Sequence, residues 1–434
     1  MEAQSAQPPS GLASAAYPRW VMLERGCKRM VDDSSGPCMG DPKTLVSART
    51  SSGHLIHVSL RLAEPPTASC VYLQTLDDGI AVDCQGSAVL AAHGDSVLIV
   101  VRIDEGRERY DVAADHFVYC AGAAAADPPT AAVAVASPAR GSRSTRTREL
   151  ILFRSGEWSV KHPETSNDQR GVGDTARSLT DTVIPVGDRR LCWVDLSAGV
   201  LLCDMLEESP RLQYVPLPVV EQHRWVPRSN RSVCVTAGGG ALKFIDVSPS
   251  CCCGGAGAST CRRSLHAFTI TTWTMRVDGG GTEEMEWVKD AVVDTTELWA
   301  LDAYKGLQRV PLDLPVVSIY EPDVICFFLH EPRWDDSYCR GRTLGLLMAD
   351  MRRKTIQSIS RAQDMLPEDM PIDTLVPSIV SDYFNSCSSV DIEKPEVVVG
   401  DDDDEQLGDD EASNPTPRAL CASIRDLGGT SRDS

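Results

Sequence analysis

The chain has 434 residues, a formal net charge of −20 and 42% hydrophobic residues. This charge argues against binding to nucleic acid or to an anionic membrane, because both need a basic protein surface. The length exceeds that of a usual single domain, so we expect either two domains or one large domain built from repeats.

Hydropathy along the chain indicates no membrane segment. The most apolar passage, Leu191 to Leu206, has 16 residues and contains Asp195 and Asp204, whereas a spanning helix needs about 20 predominantly apolar residues. The N-terminal segment has neither the basic region nor the apolar region of a secretory signal. These features predict a cytoplasmic or nuclear protein, in which the sixteen cysteines are expected to stay reduced.

Composition divides the chain into three parts. Residues 1–16 are rich in Ala, Ser and Pro and poor in large apolar residues, which predicts a disordered N-terminal tail. Residues 17–380 are predicted to form the folded domain, with an arginine-rich insertion at 122–149 and a cysteine-rich insertion at 248–264. Residues 381–434 include the acidic run DDDDEQLGDDE, which predicts an acidic and largely disordered C-terminal tail.

The passage LCWVDLSAGVLLCDML has the pattern of a β-hairpin. Two short apolar runs flank a turn from Asp195 to Gly199, where aspartate can hydrogen-bond the backbone two residues on and glycine accepts a positive φ. Similar passages recur, with the equivalent position at Asp104, Arg154, Asp195, Asp246, Asp302 and Asp350. Their intervals of 41 to 56 residues are near the period of about 50 residues that is typical of kelch propeller blades.

These repeats predict an all-β, β-propeller-like fold, similar to kelch and F-box-associated domains, with about six blades. A single hairpin cannot bury both of its faces, whereas several four-stranded sheets packed around an axis can. We also expect the N-terminal strands to close the ring against the last blade.

Two groups of cysteines are candidate metal ligands. The first group lies in the second insertion and consists of Cys251, Cys252, Cys253 and Cys261. Zinc sites usually present ligand pairs at C-x2-4-C spacing, because one turn must aim two sulfurs at a tetrahedral centre. The first group lacks this spacing, so a loop without metal is favoured over a zinc site. The same interpretation is favoured for the looser group of Cys326, His330 and Cys339.

Cys192 and Cys203 lie on either side of the predicted hairpin turn. A two-residue loop at Ser197 and Ala198 would place the two thiols opposite each other, within reach of a redox bridge. A five-residue turn would spoil that register. Two reduced core thiols are favoured over a disulfide.

No recognised catalytic motif is present in the sequence. It contains no G-x-S-x-G elbow, no H-E-x-x-H helix, no G-x-x-x-x-G-K-[ST] loop and no C-x-x-C pair. We therefore predict that the protein is not an enzyme and uses no cofactor. The eight tryptophans are expected to pack between blades rather than to form a binding surface.

Several ordered passages resemble one protein family. They are YPRWVMLERG, HLIHVSLRLAEPP, the hairpin quoted above, RWVPRSNRSVCVTAGGGALKFIDVS, FTITTWTM, MEWVKD and ELWALD. Across residues 17–360 they resemble plant proteins, abundant in grasses, that carry the domain of unknown function 1618 (DUF1618). The resemblance supplies no catalytic residues, because the family has none established. It implies a strand pattern similar to kelch-like and F-box-associated propellers, which act as recognition modules.

The fold and the resemblance favour a non-enzymatic module that binds a protein partner through one face, with no nucleic-acid or membrane ligand. A substrate adaptor of a ubiquitin ligase is one alternative, but without an F-box, since residues 1–16 are too few and residues 32–52 too polar for its helices. Another alternative is a small-ligand binder or an enzyme that uses the propeller channel. The sequence leaves the partner and the oligomeric state open.

Overall fold

A computed structural model shows the folded part of the chain and a few shorter segments. The described residues are 16–33, 36–38, 40–77, 79–104, 114–121, 133–135, 150–154, 157–161, 164–165, 180–187, 189–219, 228–236, 239–249, 267–277, 285–310, 312–331, 342–364, 374–386 and 421–425.

The first sheet joins strands from both ends of the folded chain. Strand β1 (Val21–Glu24) pairs antiparallel with β28 (Leu375–Ser378) and parallel with β7 (Ala68–Thr75). The sheet continues through β6 (Leu55–Arg61) to β5 (Val46–Arg49). The remaining N-terminal strands are β2 (Lys28–Arg29), which also pairs with β7, and the hairpin of β3 (Val31–Asp33) and β4 (Gly36–Cys38). The pairing of β1 with β28 thus joins the two ends of the fold within one sheet.

Five further sheets follow in chain order. The second contains β8 (Ala81–Val82), β9 (Ala88–His93), β10 (Ser96–Asp104), β11 (Ala114–Cys120) and β29 (Cys421–Arg425). The third contains β12 (Val133–Val135), β13 (Leu150–Arg154) and β14 (Glu157–Lys161). The fourth contains β15 (Glu164–Thr165), β16 (Thr182–Val186), β17 (Arg190–Asp195), β18 (Gly199–Asp204) and β19 (Arg211–Pro216).

The last two sheets have four antiparallel strands each. The fifth contains β20 (Arg231–Val235), β21 (Ala241–Pro249), β22 (Phe268–Arg276) and β23 (Val288–Asp294). The sixth contains β24 (Leu312–Val317), β25 (Val324–His330), β26 (Thr343–Asp350) and β27 (Thr355–Arg361). The helical segments are α1 (Thr295–Trp299), α2 (Val380–Ser386) and the 3-10 turns Pro42–Thr44, Arg228–Asn230, Asp302–Tyr304 and Ala362–Asp364. No helix in these described ranges is long and apolar enough to cross a bilayer.

One strand from each of five sheets contributes to a central ring. Going round the ring, β28 contacts β9, β9 contacts β16, β16 contacts β20, β20 contacts β24, and β24 returns to β28. We call these five the inner strands. The arrangement is all-β and β-propeller-like, as predicted. The described residues form six sheets of three or more strands, which agrees with the expected number of about six blades.

The hydrophobic core is divided into layers between neighbouring sheets. Each layer takes buried side chains from two sheets: Val71 and Ile99 from the first and second, Val200 and Phe244 from the fourth and fifth, Ile245 and Phe327 from the fifth and sixth, and Met22 and Phe328 from the first and sixth. Burial of one such side chain contributes about 1.5–3 kcal/mol to stability. Face-to-face packing of successive sheets therefore holds the ring together.

The predicted repeat unit at Asp302 is wrong. Residues Thr295–Trp299 form helix α1, and Asp302 lies in the 3-10 turn that follows it. Asp294 caps the helix, because its Oδ1 accepts a hydrogen bond from Thr296 N (2.8 Å). Asp246 also departs from the prediction, since it lies within β21 rather than at a turn. The N-terminal cap at Asp294 therefore favours a helix in this segment, although the apolar pattern of ELWALD resembles that of a hairpin.

The folded body continues past residue 380, where the sequence suggested that a tail begins. Helix α2 packs Phe384 into the layer between the first and second sheets. Tyr17 N donates to Asn385 Oδ1 (2.7 Å), and Asn385 Nδ2 donates to Tyr17 O (3.1 Å). The predicted N-terminal tail and most of the two insertions and of the acidic tail lie outside the described residues.

Two glycines allow the fourth and fifth sheets to approach closely. Gly187 and Gly239 have φ values of 59° and 70°, and a Cβ on Gly239 would lie 2.6 Å from Gly187 N. We expect Gly239→Ala to lower the free energy of unfolding by about 3–4 kcal/mol, because the left-handed backbone and the backbone clash both disfavour a side chain.

The matched control is Gly79→Ala. Gly79 has a φ of 78°, but its Cβ would meet nothing within 4 Å, so we expect a loss of only about 1–2 kcal/mol. Urea unfolding of both variants measures the difference. Equal losses would show that the contact between the two sheets has no energetic role.

Candidate functional site

A cavity of about 700 Å³ lies at the centre of the ring. The five inner strands and their flanking residues form its wall, and the third sheet contributes none of the described residues that line it. Most lining side chains are apolar, and several of them are only half buried: Leu90, Ala91, Pro185, Ile319 and Ile379. Polar side chains concentrate at two ends of the cavity.

The arginine end lies where β16 and β20 begin, and we define it by Arg25, Asp181, Thr182 and Arg228. Arg228 Nη1 donates to Asp181 Oδ1 (2.5 Å), and Arg228 Nη2 donates to Ser197 Oγ (3.0 Å). Arg25 Nη2 donates to Thr182 Oγ1 (3.5 Å). Residues of the first sheet, of the fourth sheet and of the turn before the fifth sheet are therefore linked at this end.

A buried ion pair supports the arginine end from within the fifth sheet. Arg231 lies opposite Asp246 in the β20–β21 register, and its Nε donates to Asp246 Oδ1 (2.8 Å). Arg231 Nη1 donates to Leu196 O (3.0 Å), which belongs to the fourth sheet's turn. The side chains of Arg231 and Asp246 are 1% and 4% exposed. Ser248 Oγ also donates to Asp246, so this carboxylate is bonded from two sides.

The predicted hairpin at residues 191–206 is confirmed, and its turn forms part of the arginine end. Strands β17 and β18 are joined through Leu196, Ser197 and Ala198. Asp195 Oδ1 accepts hydrogen bonds from Ser197 N (2.8 Å) and Ser197 Oγ (2.6 Å), as a turn aspartate is expected to do. Leu196 N donates to Asp181 Oδ2 (2.8 Å). The turn is therefore fixed to the start of β16.

The length of this turn determines which face of the hairpin each of the two cysteines occupies. Three residues in the loop place Cys192 opposite Leu202 and Cys203 opposite Leu191. Cys192 thus faces the layer between the fourth and fifth sheets, whereas Cys203 packs with Trp193 on the other face. Both thiols are free and buried, and burial raises the pKa of Cys192 above its ordinary value. The interpretation as two core thiols is confirmed, and the register keeps them on opposite faces of the hairpin.

The histidine end lies where β16 and β20 finish, and we define it by His93, Thr236 and Tyr383. His93 is the last residue of β9 and is exposed. Gly187 and Gly239 approach each other at this same end. The two ends thus present different chemistry: a network of bonded charges at one, and hydroxyl groups with one imidazole at the other.

The predicted metal candidates are not assembled into a site in the described structure. Outside the described residues lie Cys251, Cys252, Cys253, Cys261 and Cys339. Cys326 is buried in the layer between the first and sixth sheets, and burial raises the pKa of its thiol. His330 Nδ1 lies 2.7 Å from Asp313 Oδ1. Within the described ranges, no group of three or more His, Cys, Asp or Glu is placed to hold a metal ion.

Four of the five tryptophans whose side chains are described pack in layers between sheets, as predicted: Trp20, Trp273, Trp287 and Trp299. Trp193 instead packs with Cys203 and Leu212 of its own sheet. The rings of Trp273 and Phe244 stack at a centroid distance of 5.2 Å. In the described part of the chain, these four tryptophans therefore stabilise contacts between sheets.

Sequence reasoning missed the residues of the arginine end. Arg25 and Thr182 are 157 positions apart, and Asp181 and Arg228 are 47 apart, so no local motif connects them. The available signal was that Asp181 begins the apolar passage DTVIPVG and that Arg228 lies shortly before the apolar passage RSVCVTAG. That signal becomes informative only when the two strands are known to be neighbours in the ring.

Comparison with known proteins gives a partial family match. Residues 193–326 match the family described as "Protein of unknown function (DUF1618)", which confirms the resemblance to this domain over that range. No curated protein matches the chain.

Solved structures with some similarity to this chain include a WD40 domain, a β-propeller domain and an enzyme. The WD40 domain of SCAP from fission yeast is 9% identical, with coverage of 80% of this chain and 89% of that chain and a TM-score of 0.28. The β-propeller domain of Myceliophteria thermophila Cps50 (Swd1) is 8% identical, with coverage of 78% and 87% and a TM-score of 0.25. A levansucrase variant from B. megaterium is 9% identical, with coverage of 78% and 92% and a TM-score of 0.25. The assignment of the fold rests on the strand pairing within this chain.

Proposed function

We propose that the protein is a non-enzymatic module that recognises a protein partner through the arginine end of its ring. One observation carries this proposal: the exposed guanidinium of Arg228 is held in one orientation by acceptors on the neighbouring sheet. Asp181 accepts at 2.5 Å and Ser197 at 3.0 Å, while 43% of the Arg228 side chain is exposed. A side chain that is ordered before binding loses less conformational entropy when a partner binds.

The chemistry of Arg228 suits contact with a protein surface. Arginine is enriched among the residues that contribute most to binding at protein interfaces. A guanidinium has five N–H donors, so the hydrogen bonds to Asp181 and Ser197 leave donors for a partner's carboxylate or carbonyl oxygen. The side chain also lies among turns of a rigid ring of sheets, and such turns are common positions for recognition.

Affinity purification tests the proposed partner surface. Tagged full-length protein is expressed in plant tissue as wild type and as Arg228→Ala, and bound proteins are quantified by mass spectrometry. We expect the variant to recover its partner at least tenfold less well, because truncation of a central interface arginine typically costs about 2 kcal/mol or more. Circular dichroism checks that the variant is folded.

The matched control is Arg189→Ala. Like Arg228, Arg189 is an exposed arginine with a carboxylate partner. It lies just before β17, and its Nε lies 2.6 Å from Asp204 Oδ2, but it does not line the cavity. Partner recovery with this variant is expected to equal that of the wild type. Equal recovery with both variants, or recovery of the bait alone, would overturn the proposal.

We also propose that the chain is a plant, grass-type DUF1618 protein. We expect it in the cytoplasm or the nucleus. The ordered passages quoted from residues 17–360 support the plant assignment. The eight cysteines whose side chains are described are all free, which fits a reducing compartment. The sequence contains no recognised catalytic motif, which supports a role in recognition.

A further inference from the structure

We propose that the cavity at the centre of the ring binds one uncharged, largely apolar small molecule. The cavity volume of about 700 Å³ falls within the range of about 300–1,000 Å³ that is typical of small-molecule sites. Five sheets supply its wall, so the site is part of the rigid framework. The site shares the arginine end with the protein partner proposed above, but binding of the small molecule does not require that partner.

The wall carries apolar surface that the core layers do not use. Leu90, Ala91, Ile319 and Ile379 line the cavity, are half buried, and belong to none of the hydrophobic clusters formed by the described residues. They come from the second sheet, from the segment after β24 and from the segment after β28. An apolar molecule that contacts these side chains removes their surface from water, which is the main driving force for such binding.

The charges at the arginine end indicate that the ligand is uncharged. Three guanidinium groups and three carboxylates balance there: Arg228 lies 2.5 Å from Asp181 and 3.9 Å from Asp195, Arg231 lies 2.8 Å from Asp246, and Arg25 lines the same end. An anionic ligand would compete with carboxylates that are already in place, and a cationic ligand would meet the guanidinium groups. The cavity therefore selects for an apolar skeleton without net charge.

The same end provides a place for one polar group of the ligand. Arg25 and Thr182 line the cavity and are joined by a hydrogen bond of 3.5 Å, which is long for an N–H···O contact. A hydroxyl or carbonyl oxygen of the ligand is able to accept from the Arg25 guanidinium or from the Thr182 hydroxyl. We infer an apolar molecule with a hydroxyl or carbonyl group at its arginine end.

Fluorescence titration of the full-length protein with N-phenyl-1-naphthylamine, an uncharged apolar probe, tests the site. We expect saturable binding of one probe per chain. Ala91→Trp and Ile319→Phe each place a larger side chain in the cavity from a different sheet, and each is expected to weaken probe binding at least tenfold. Ala300→Trp introduces the same side chain at the exposed end of α1 and is expected to leave binding unchanged.

A second probe tests the chemical class of the ligand. 1-Anilinonaphthalene-8-sulfonate has a similar aromatic skeleton but carries a negative charge, and we expect it to bind at least tenfold more weakly than the uncharged probe. Tighter binding of the sulfonate would overturn the assignment to uncharged ligands. Probe binding that is insensitive to both cavity substitutions, or that does not saturate near one per chain, would overturn the site itself.

Folding of the variants is checked by circular dichroism. If either large substitution prevents folding, Leu90→Ser decides the question, because it removes apolar wall surface without adding volume and is expected to weaken probe binding several-fold. Unchanged binding by a folded Leu90→Ser protein would count against the site. Recovery of the protein partner with Ala91→Trp is expected to match the wild type, which separates this inference from the function proposed above.

Discussion

Arg231→Met is expected to lower the free energy of unfolding by about 3–5 kcal/mol, the usual cost of removing one partner from a buried ion pair. Methionine replaces most of the apolar stem of arginine, so the loss reports mainly on charge and hydrogen bonding. It leaves Asp246, whose side chain is 4% exposed, as a buried carboxylate without its arginine. It also removes the donor to Leu196 O. Urea unfolding followed by circular dichroism measures the change.

The control for this prediction removes both charges. In the double variant Arg231→Met, Asp246→Leu, no buried carboxylate is left behind, and apolar replacements for a buried ion pair are often neutral or stabilising. We expect it to regain more than half of the stability lost in the single variant. Recovery is expected to be incomplete, because Ser248 Oγ loses its acceptor. A single variant as stable as the wild type would show that the pair contributes nothing to stability.

Local patterns were sufficient to predict the class of fold. The passage HLIHVSLR alternates apolar residues with mostly polar ones, and in β6 the structure buries Ile56, Val58 and Leu60 while leaving His57 and Arg61 only half buried. The turn at Asp195 forms the hydrogen bonds that its sequence predicts. Short-range rules of this kind act within a few residues, so they can be applied without knowledge of the rest of the chain.

Details that depend on one residue or on a capping hydrogen bond were harder to predict. A loop of three residues instead of two moves Cys192 and Cys203 to opposite faces, because side chains alternate along a strand. The apolar pattern near Asp302 resembles a hairpin, but the cap supplied by Asp294 starts a helix. Neither outcome follows from hydrophobic periodicity.

The cavity could not be predicted, because it depends on the order of the sheets around the ring. Pairing of β1 with β28 joins segments more than 350 positions apart, and the hydrogen bond from Arg25 to Thr182 spans 157 positions. Side chains brought together at such distances share no spacing that a single sequence displays. The sequence also does not reveal which sheets supply the inner strands. The third sheet lies between the second and fourth in chain order, yet the described contacts of the ring are made by the five other sheets.

A second buried cation links the fifth and sixth sheets. Lys243 of β21 is 2% exposed, and its Nζ lies 3.0 Å from Asp323 Oδ1 and 3.3 Å from Asp290 Oδ2. Asp323 also pairs with Arg352, whose Nε lies 2.7 Å from Asp323 Oδ2. One carboxylate in the turn before β25 therefore bonds a cation from each of the two sheets.

We expect Lys243→Met to lower the free energy of unfolding by about 2–4 kcal/mol, because it leaves partly buried carboxylates without their shared cation. The control is Lys354→Met, which breaks an exposed pair between Lys354 Nζ and Glu297 Oε2 (2.7 Å) and is expected to cost less than about 1 kcal/mol. Urea unfolding at neutral pH compares the two variants. Losses of equal size would show that burial adds nothing to the interaction of Lys243.

The pH dependence of stability is expected to separate the contribution of Lys243 from simple packing. Burial alone would raise the pKa of Asp323, but the hydrogen bond and charge of Lys243, together with Arg352, hold it below its ordinary value. A carboxyl group whose pKa is lowered by folding stabilises the native state above its unfolded pKa of about 4, and this stabilisation is lost as the pH falls through the folded pKa. The difference in unfolding free energy between wild type and Lys243→Met is therefore expected to be constant from pH 7 to about pH 5 and to shrink below about pH 4. A difference that stays constant down to pH 2 would assign the loss to packing rather than to the charge of Asp323.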